Sequence, residues 1–161
     1  KRCTFFWIIT VSNFETYDVW ENQRRKDDDK ITSELISIHK SIYDYIKSDF
    51  PEINIKFRKD GAALFHIDGK KVGNLNVFGR HGVTLNLLRA EEDGYKLPNI
   101  SHETKNSRND LNNCEYYSIM GISSLDDDIK NLIRKSYDIR DKKLNTLKGN
   151  HPSVKEILGL E

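Results

Sequence analysis

Between Ile53 and Ala90, short runs of alternating apolar and polar residues are divided by glycine turns. Ile53, Ile55 and Phe57 alternate with Asn54, Lys56 and Arg58; Asp60-Gly61 leads into Ala62 to Ile67, Asp68-Gly69 into Lys71 to Phe78, and Gly79-Arg80-His81-Gly82 into Val83 to Leu88. A side-chain period of two is that of a strand. Asp-Gly is a favoured hairpin turn because it tolerates positive φ at successive positions. Four antiparallel strands in a meander are therefore expected. Cys114 to Ile122 alternates enough to supply a fifth.

Helical spacing flanks this block. Ile31, Leu35, Ile38, Ile42, Tyr45 and Ile46 recur at three- and four-residue steps, which predicts an amphipathic helix over 31–48 that Pro51 ends. Leu125, Ile129, Leu132, Ile133, Ser136 and Tyr137 line one face of a second helix over 125–140, with Ser124-Leu125-Asp126-Asp127 resembling a capping box at its start. Thr4 to Val11 is β-branched and aromatic, as a strand covered on both sides would be. Phe14 to Trp20 suits a helical turn, and Glu21 to Lys30 is a charge run that reads as a solvated linker or helix flank. Glu91 to Asn113 carries Pro98 and five Asn without a sustained period, so it reads as a long loop. Ser153 would cap a short last helix, Val154 to Leu158.

The expected fold is α+β: a five-stranded antiparallel meander sheet, two main helices on one face, and an extra N-terminal strand. At 161 residues the chain suits a single unit. Residues 1–30 supply strand and linker, 31–143 the core, and 144–161 a tail helix.

Bulk properties exclude several functions. With 37% hydrophobic and 32% charged residues, and a net charge of +1, the chain is not a uniformly basic nucleic-acid packer. Cys3 and Cys114 form no CxxC and have no paired His spacing, so no zinc site or disulfide framework is expected, and a reducing, cytoplasmic setting fits. Lys1-Arg2 before the apolar run Cys3 to Val11 imitates a signal peptide, yet no small-x-small cleavage site follows. No run reaches the roughly 20 apolar residues of a spanning helix, so no membrane association is expected.

Three stretches resemble the YjbR/MmcQ-type family of small bacterial proteins and its uncharacterised relatives. These are Phe65-His66-Ile67-Asp68-Gly69-Lys70-Lys71-Val72, like that family's strand and GGK turn; Asn113 to Ile122, like its late strand; and Leu125 to Asp138, like its closing helix. The resemblance spans residues 31–143. It implies an antiparallel α/β fold, sometimes compared with DNA-binding folds that use hairpins as wings, and no known enzymatic activity. Where the family carries a His-Trp pair this chain has Tyr116-Tyr117.

Charge, unlike the motifs, is concentrated. From Ile53 to Ala90 there are seven Lys/Arg against two acids, an excess of five in a chain whose total is +1. Lys56, Arg58, Lys70, Lys71, Arg80 and Arg89 are the candidate phosphate contacts, Asn74, Asn76 and Asn86 the candidate base readers, and Tyr117 a candidate stacking ring. The expected function is non-catalytic nucleic-acid binding, DNA ahead of RNA. The alternative is an immunity or regulatory module meeting an acidic protein surface with the same residues.

A metal-dependent nuclease ranks below both. Asp60 and Asp68-Gly69-Lys70 copy the residue types of a PD-(D/E)xK core, but both aspartates stand at predicted hairpin tips. His66, His81 and His102 fall in no ββα-metal order, and GxSxG, GxxxxGK[ST] and GxGxxG are missing. No catalytic residue, metal or cofactor is expected.

Overall fold

A computed structural model of the chain describes residues 14–59, 61–88, 102–105 and 116–139. The elements run α1 (Tyr17–Asp27), α2 (Ser33–Asp49), β1 (Asn54–Phe57), β2 (Ala63–Ile67), β3 (Lys70–Phe78), β4 (Gly82–Leu88), β5 (His102–Lys105), β6 (Tyr116–Ile122) and α3 (Asp127–Asp138). The fold is α+β, and the strands form one antiparallel sheet in the order β1-β2-β3-β4-β6-β5. The five expected strands are neighbours in chain order, as in the expected meander. A sixth, β5, departs from expectation: it comes from the segment read as a loop and pairs outside β6. Four residues are too few to show a period, and the ladder rather than side-chain pattern makes His102–Lys105 a strand. The expected strand Thr4 to Val11 and helix Val154 to Leu158 lie outside the described residues.

Turn chemistry explains the ladder. Asp68 and Gly69 have φ of 50° and 74°, so the two-residue link between β2 and β3 has the positive φ pair of a type I′ hairpin. One bulge shifts the β2–β3 register between Phe65 and His66, and a second shifts β4–β6 near Gly121, whose φ is 69°.

The helices cover one face. Phe57, Ala63, Leu75, Leu85 and Ile119 form a continuous register row of buried residues, and α2 lies against β3 and β4 with α3 against β4. Hydroxyl and carboxylate caps start each helix where the free N–H groups need acceptors: Thr16 accepts from Val19, Thr32 from Leu35 and Asp126 from Ile129. The cap of α3 is thus Asp126, not Ser124. Along α2 the buried residues are Ile36, His39, Ile42 and Ile46, while Leu35, Ile38 and Tyr45 are half-buried beside them.

The charge run is helix rather than linker, and it is not wholly solvated. Most of it is the second half of α1, whose inward residues are Tyr17, Trp20 and Arg24. Trp20 stacks on His39 with ring centroids 4.5 Å apart and its indole N–H donates to the Gly61 carbonyl at 3.3 Å. Arg24 is buried, donates to the Val77 carbonyl at 2.6 Å and stands 5.5 Å over the Phe78 ring. Asp28 then accepts from the backbone N–H of Gly79 at 2.8 Å and of Lys30 at 3.1 Å. Arg and Asp here satisfy strand-end backbone groups, a role invisible to a reading of composition.

His39 is fully buried, with Nδ1 2.8 Å from the Tyr17 hydroxyl. Desolvation pushes its pKa down to about 3, so the imidazole is neutral and the tyrosine can donate to it. Burial likewise drives Tyr17 upward, which keeps the phenol protonated.

Two outcomes are expected. Gly79→Ala would set its Cβ against Lys30 and Asp28, and urea denaturation should show a loss of about 1–3 kcal/mol. For His39 the unfolded imidazole binds a proton below about 6.5 while the folded one resists until about 3. Its contribution to stability is therefore complete above the upper value and is lost as pH falls through the window. In His39→Gln the acid slope of stability should be shallower than in the parent by up to about 1.4 kcal/mol per pH unit, measured by denaturation between pH 7 and pH 4.

Candidate nucleic-acid interface

The sheet face turned from the helices is built by one register row that crosses every strand: Lys56 pairs Leu64, Leu64 pairs Asn74, Asn74 pairs Asn86, Asn86 pairs Ser118, and Ser118 pairs Thr104. Paired residues share a face, so Lys56, Asn74 and Asn86 come together as their alternation predicts. Asn76, paired with Thr84, lies two residues along the same face.

Lys71 joins this face through the β2–β3 bulge. Strict alternation from Asn74 would turn Lys71 toward the helices. Instead His66 pairs Lys71, and the extra residue Val72 lines the apolar cavity of Ile46, Phe65, Leu87 and Ile133. Asn54 also pairs His66.

The remaining basic candidates sit at strand ends. Arg58 lies in the β1–β2 turn, closed by its N–H donating to the Ala62 carbonyl at 2.8 Å, and Arg80 is exposed in the three-residue β3–β4 turn at the same end of the sheet. Lys70 begins β3 at the opposite end, next to Lys71. Nine residues of β3 separate the two ends, about 30 Å of extended chain. Arg89 lies outside the described residues. Tyr117 pairs in register with Leu87, not with the Asn86 row.

The asparagines are engaged. The Asn86 side-chain N–H donates to Asn74 Oδ1 at 2.8 Å, and Asn76 Oδ1 accepts from the Val77 N–H at 2.8 Å. Asn86 Oδ1 is enclosed without a hydrogen-bond partner among the described residues. Leu64, His66 and Thr84 on the same face are also buried. The middle of the face is therefore less available than alternation suggested, and its cations are at the margins.

Two residues absent from the sequence shortlist bear on the site. Lys59 shares the β1–β2 turn with Arg58 and stands 6.0 Å from the Phe14 ring, and Lys30 packs beside Gly79, next to Arg80. The first belonged to the same charge excess; the second is brought there only by tertiary packing. Asp28 works against them. Its hydrogen bonds from Gly79 and then Lys30 hold its pKa below the usual carboxylate range, so a carboxylate stands beside the Arg80 turn.

Asp60, one of the two aspartates of the nuclease reading, lies outside the described residues, and Asp68 is in the turn between β2 and β3. His66 in β2 and His102 in β5 are four strands apart, about 19 Å. No group of three or more His, Cys, Asp or Glu side chains that could hold a metal occurs among the described residues. Within the same residues no helix is long and apolar enough to cross a membrane.

No family model, curated protein or solved structure matches the chain. The site is therefore interpreted from its own chemistry. The Asn74–Asn86 bond should appear as coupling: in a double-mutant cycle, Asn74→Ala and Asn86→Ala should be non-additive by about 0.5–1.5 kcal/mol in denaturation free energy.

Proposed function

We propose that this chain is a non-catalytic nucleic-acid-binding domain, with DNA ahead of RNA, that holds phosphates with basic side chains at the two ends of its sheet. The observation that carries the reading is the placement of the local charge excess. Lys70 and Lys71 are at one end of β3, Arg58 and Arg80 are in the turns at the other end of the strands, and Lys56 lies between, level with Asn74. Cations spaced along an edge follow a polyanion, whereas a small anionic ligand would need them convergent. The stretches resembling the YjbR/MmcQ-type family favour the same reading through that family's comparison with winged DNA-binding folds. A cytoplasmic setting fits this role.

Asp28 ranks the contributions. Its carboxylate offsets phosphate attraction at the Arg80 turn, so Arg80 alone should contribute little.

A protein-interaction module is supported by a different feature. Beside β1, the outermost strand among the described residues and bridged by Phe14 at Phe57, runs a groove of about 370 Å³ lined by Glu15, Tyr43, Lys47, Pro51, Ile53 and Ile55. An apolar and charged groove beside a strand suits an extended peptide.

The test is a salt series of binding to duplex DNA, single-stranded DNA and RNA. Affinity for duplex should fall by about 10-fold or more between 50 and 200 mM salt, and Lys70→Glu/Lys71→Glu should weaken binding more than Arg80→Glu. Absence of binding at low salt, together with capture of one protein that survives nuclease treatment, would transfer support to the groove.

A further inference from the structure

Beyond nucleic-acid binding, we propose that the outer side of β1 takes an extended peptide of a partner protein as an added antiparallel strand, pairing at Ile55 and placing an acidic side chain against Lys47. This rests on the protein-interaction reading of the groove and gives it a ligand class. The ladder fixes which backbone groups face outward. The Arg58 N–H donates to the Ala62 carbonyl, so 58–62 is a bonded pair. Bonded pairs alternate along an antiparallel ladder, which gives Lys56–Leu64 and Asn54–His66 to the β2 side and turns the N–H and C=O of Ile55 and Phe57 outward. The Phe57 carbonyl agrees with this phase, because it accepts from the Phe14 N–H at 2.7 Å. Among the described residues nothing bonds to the outward N–H or C=O of Ile55.

Phe14 sets the direction. It stands opposite Phe57, so a strand paired at Ile55 extends toward Ile53 and Pro51. Ile55 shares the helix-covered face with Phe57, and side chains opposite each other share a face. Peptide residues opposite Ile55 and Ile53 therefore turn toward α2, into the groove of about 370 Å³. Its wall is preset, because the Tyr43 ring packs 4.9 Å from Tyr17 and 5.5 Å from Phe57. Lys47, one turn further along α2, is exposed, with Nζ 5.7 Å from the Tyr43 ring centroid. Neither Lys47 nor Glu15 has an ion-pair partner among the described residues. Glu15 follows Phe14 at one end of the groove, whereas Lys47 is in the last turn of α2, ahead of Pro51. An antiparallel peptide with a β-branched residue opposite Ile55 and an Asp or Glu two residues later brings its acid toward Lys47 and away from Glu15. Exchange with Ile55 needs only one peptide residue in this orientation.

The experiment selects from a random displayed heptapeptide library on the full chain, then measures the synthetic consensus peptide by fluorescence anisotropy. The expected consensus is a β-branched residue followed two positions later by Asp or Glu. Methylating the backbone nitrogen of that β-branched residue should weaken binding about 3- to 10-fold. Ile55→Pro should do the same, since it removes the outward N–H while leaving the bonds to β2 in place. Lys47→Glu should weaken the acidic peptide about 3- to 10-fold and strengthen, by a similar factor, a version with Lys in place of the acid.

Selected peptides whose affinity is unchanged both by nitrogen methylation and by Ile55→Pro would overturn strand addition while leaving the protein-interaction reading in place. A consensus without the acid, or no response to the charge swap at Lys47, overturns the ligand class. Enrichment of no peptide overturns both readings of the groove. A dimer in sedimentation velocity that Ile55→Pro abolishes assigns this edge to a second copy of the chain and overturns the peptide. The methylated peptide keeps the test valid if Ile55→Pro fails to fold, and none of these readouts depends on nucleic acid.

Discussion

Tyr17, Trp20, His39 and Phe57 form one buried aromatic contact, and two helices meet the sheet through it. Tyr17 sits edge-on to Phe57 with centroids 5.7 Å apart, Trp20 stacks on His39, and Trp20 also approaches Phe57 at 5.6 Å. Burying an aromatic side chain removes about 150–250 Å² from water, a gross gain of roughly 4–6 kcal/mol at about 25 cal/mol per Å². That exceeds the cost of desolvating a neutral, hydrogen-bonded imidazole. It would not cover a buried charge without a counterion, so the contact depends on His39 staying unprotonated.

The same helix carries this anchoring to the basic turns. Three residues of α1 and its exit, spaced four apart, reach successive backbone groups at one end of the sheet: Trp20 the Gly61 carbonyl, Arg24 the Val77 carbonyl and Asp28 the Gly79 N–H. The turns bearing Arg58 and Arg80 are thereby held to a helix rather than left as independent hairpin tips. Fixing a cation beforehand lowers the ordering cost of binding. The device that fixes Arg80 also places a carboxylate next to it, so rigidity and positive charge are traded against each other at that end.

Much of the candidate site was legible because β alternation sorts residues by face. Lys56, Asn74, Asn76 and Asn86 were grouped on one face from their spacing, and the register puts them there. What spacing could not show is how far that face is available. The Asn74–Asn86 and Asn76–Val77 bonds depend on cross-strand distance and rotamer, and nothing in the order of residues distinguishes an amide turned to solvent from one bonded to its neighbour. Tyr117 falls in the Leu87 register because the β4–β6 pairing, not the strand's own pattern, decides its partner.

Local chemistry in the sequence determined the strands of the meander, the Asp68-Gly69 hairpin and the two amphipathic helices, since a period of two, a period of 3.6 and a positive-φ turn are each set by residues adjacent in the chain. Tertiary structure alone decided the rest. A charge run became a helix because Arg24 and Asp28 found strand-end backbone partners some fifty residues away. His39, polar by type, became core because Tyr17 could donate to it and Trp20 could cover it. At the β2–β3 bulge one extra residue turned Val72 inward and kept Lys71 on the asparagine face. A bulge arises where two strands must both keep their apolar residues buried, and that is a property of the pair rather than of either strand.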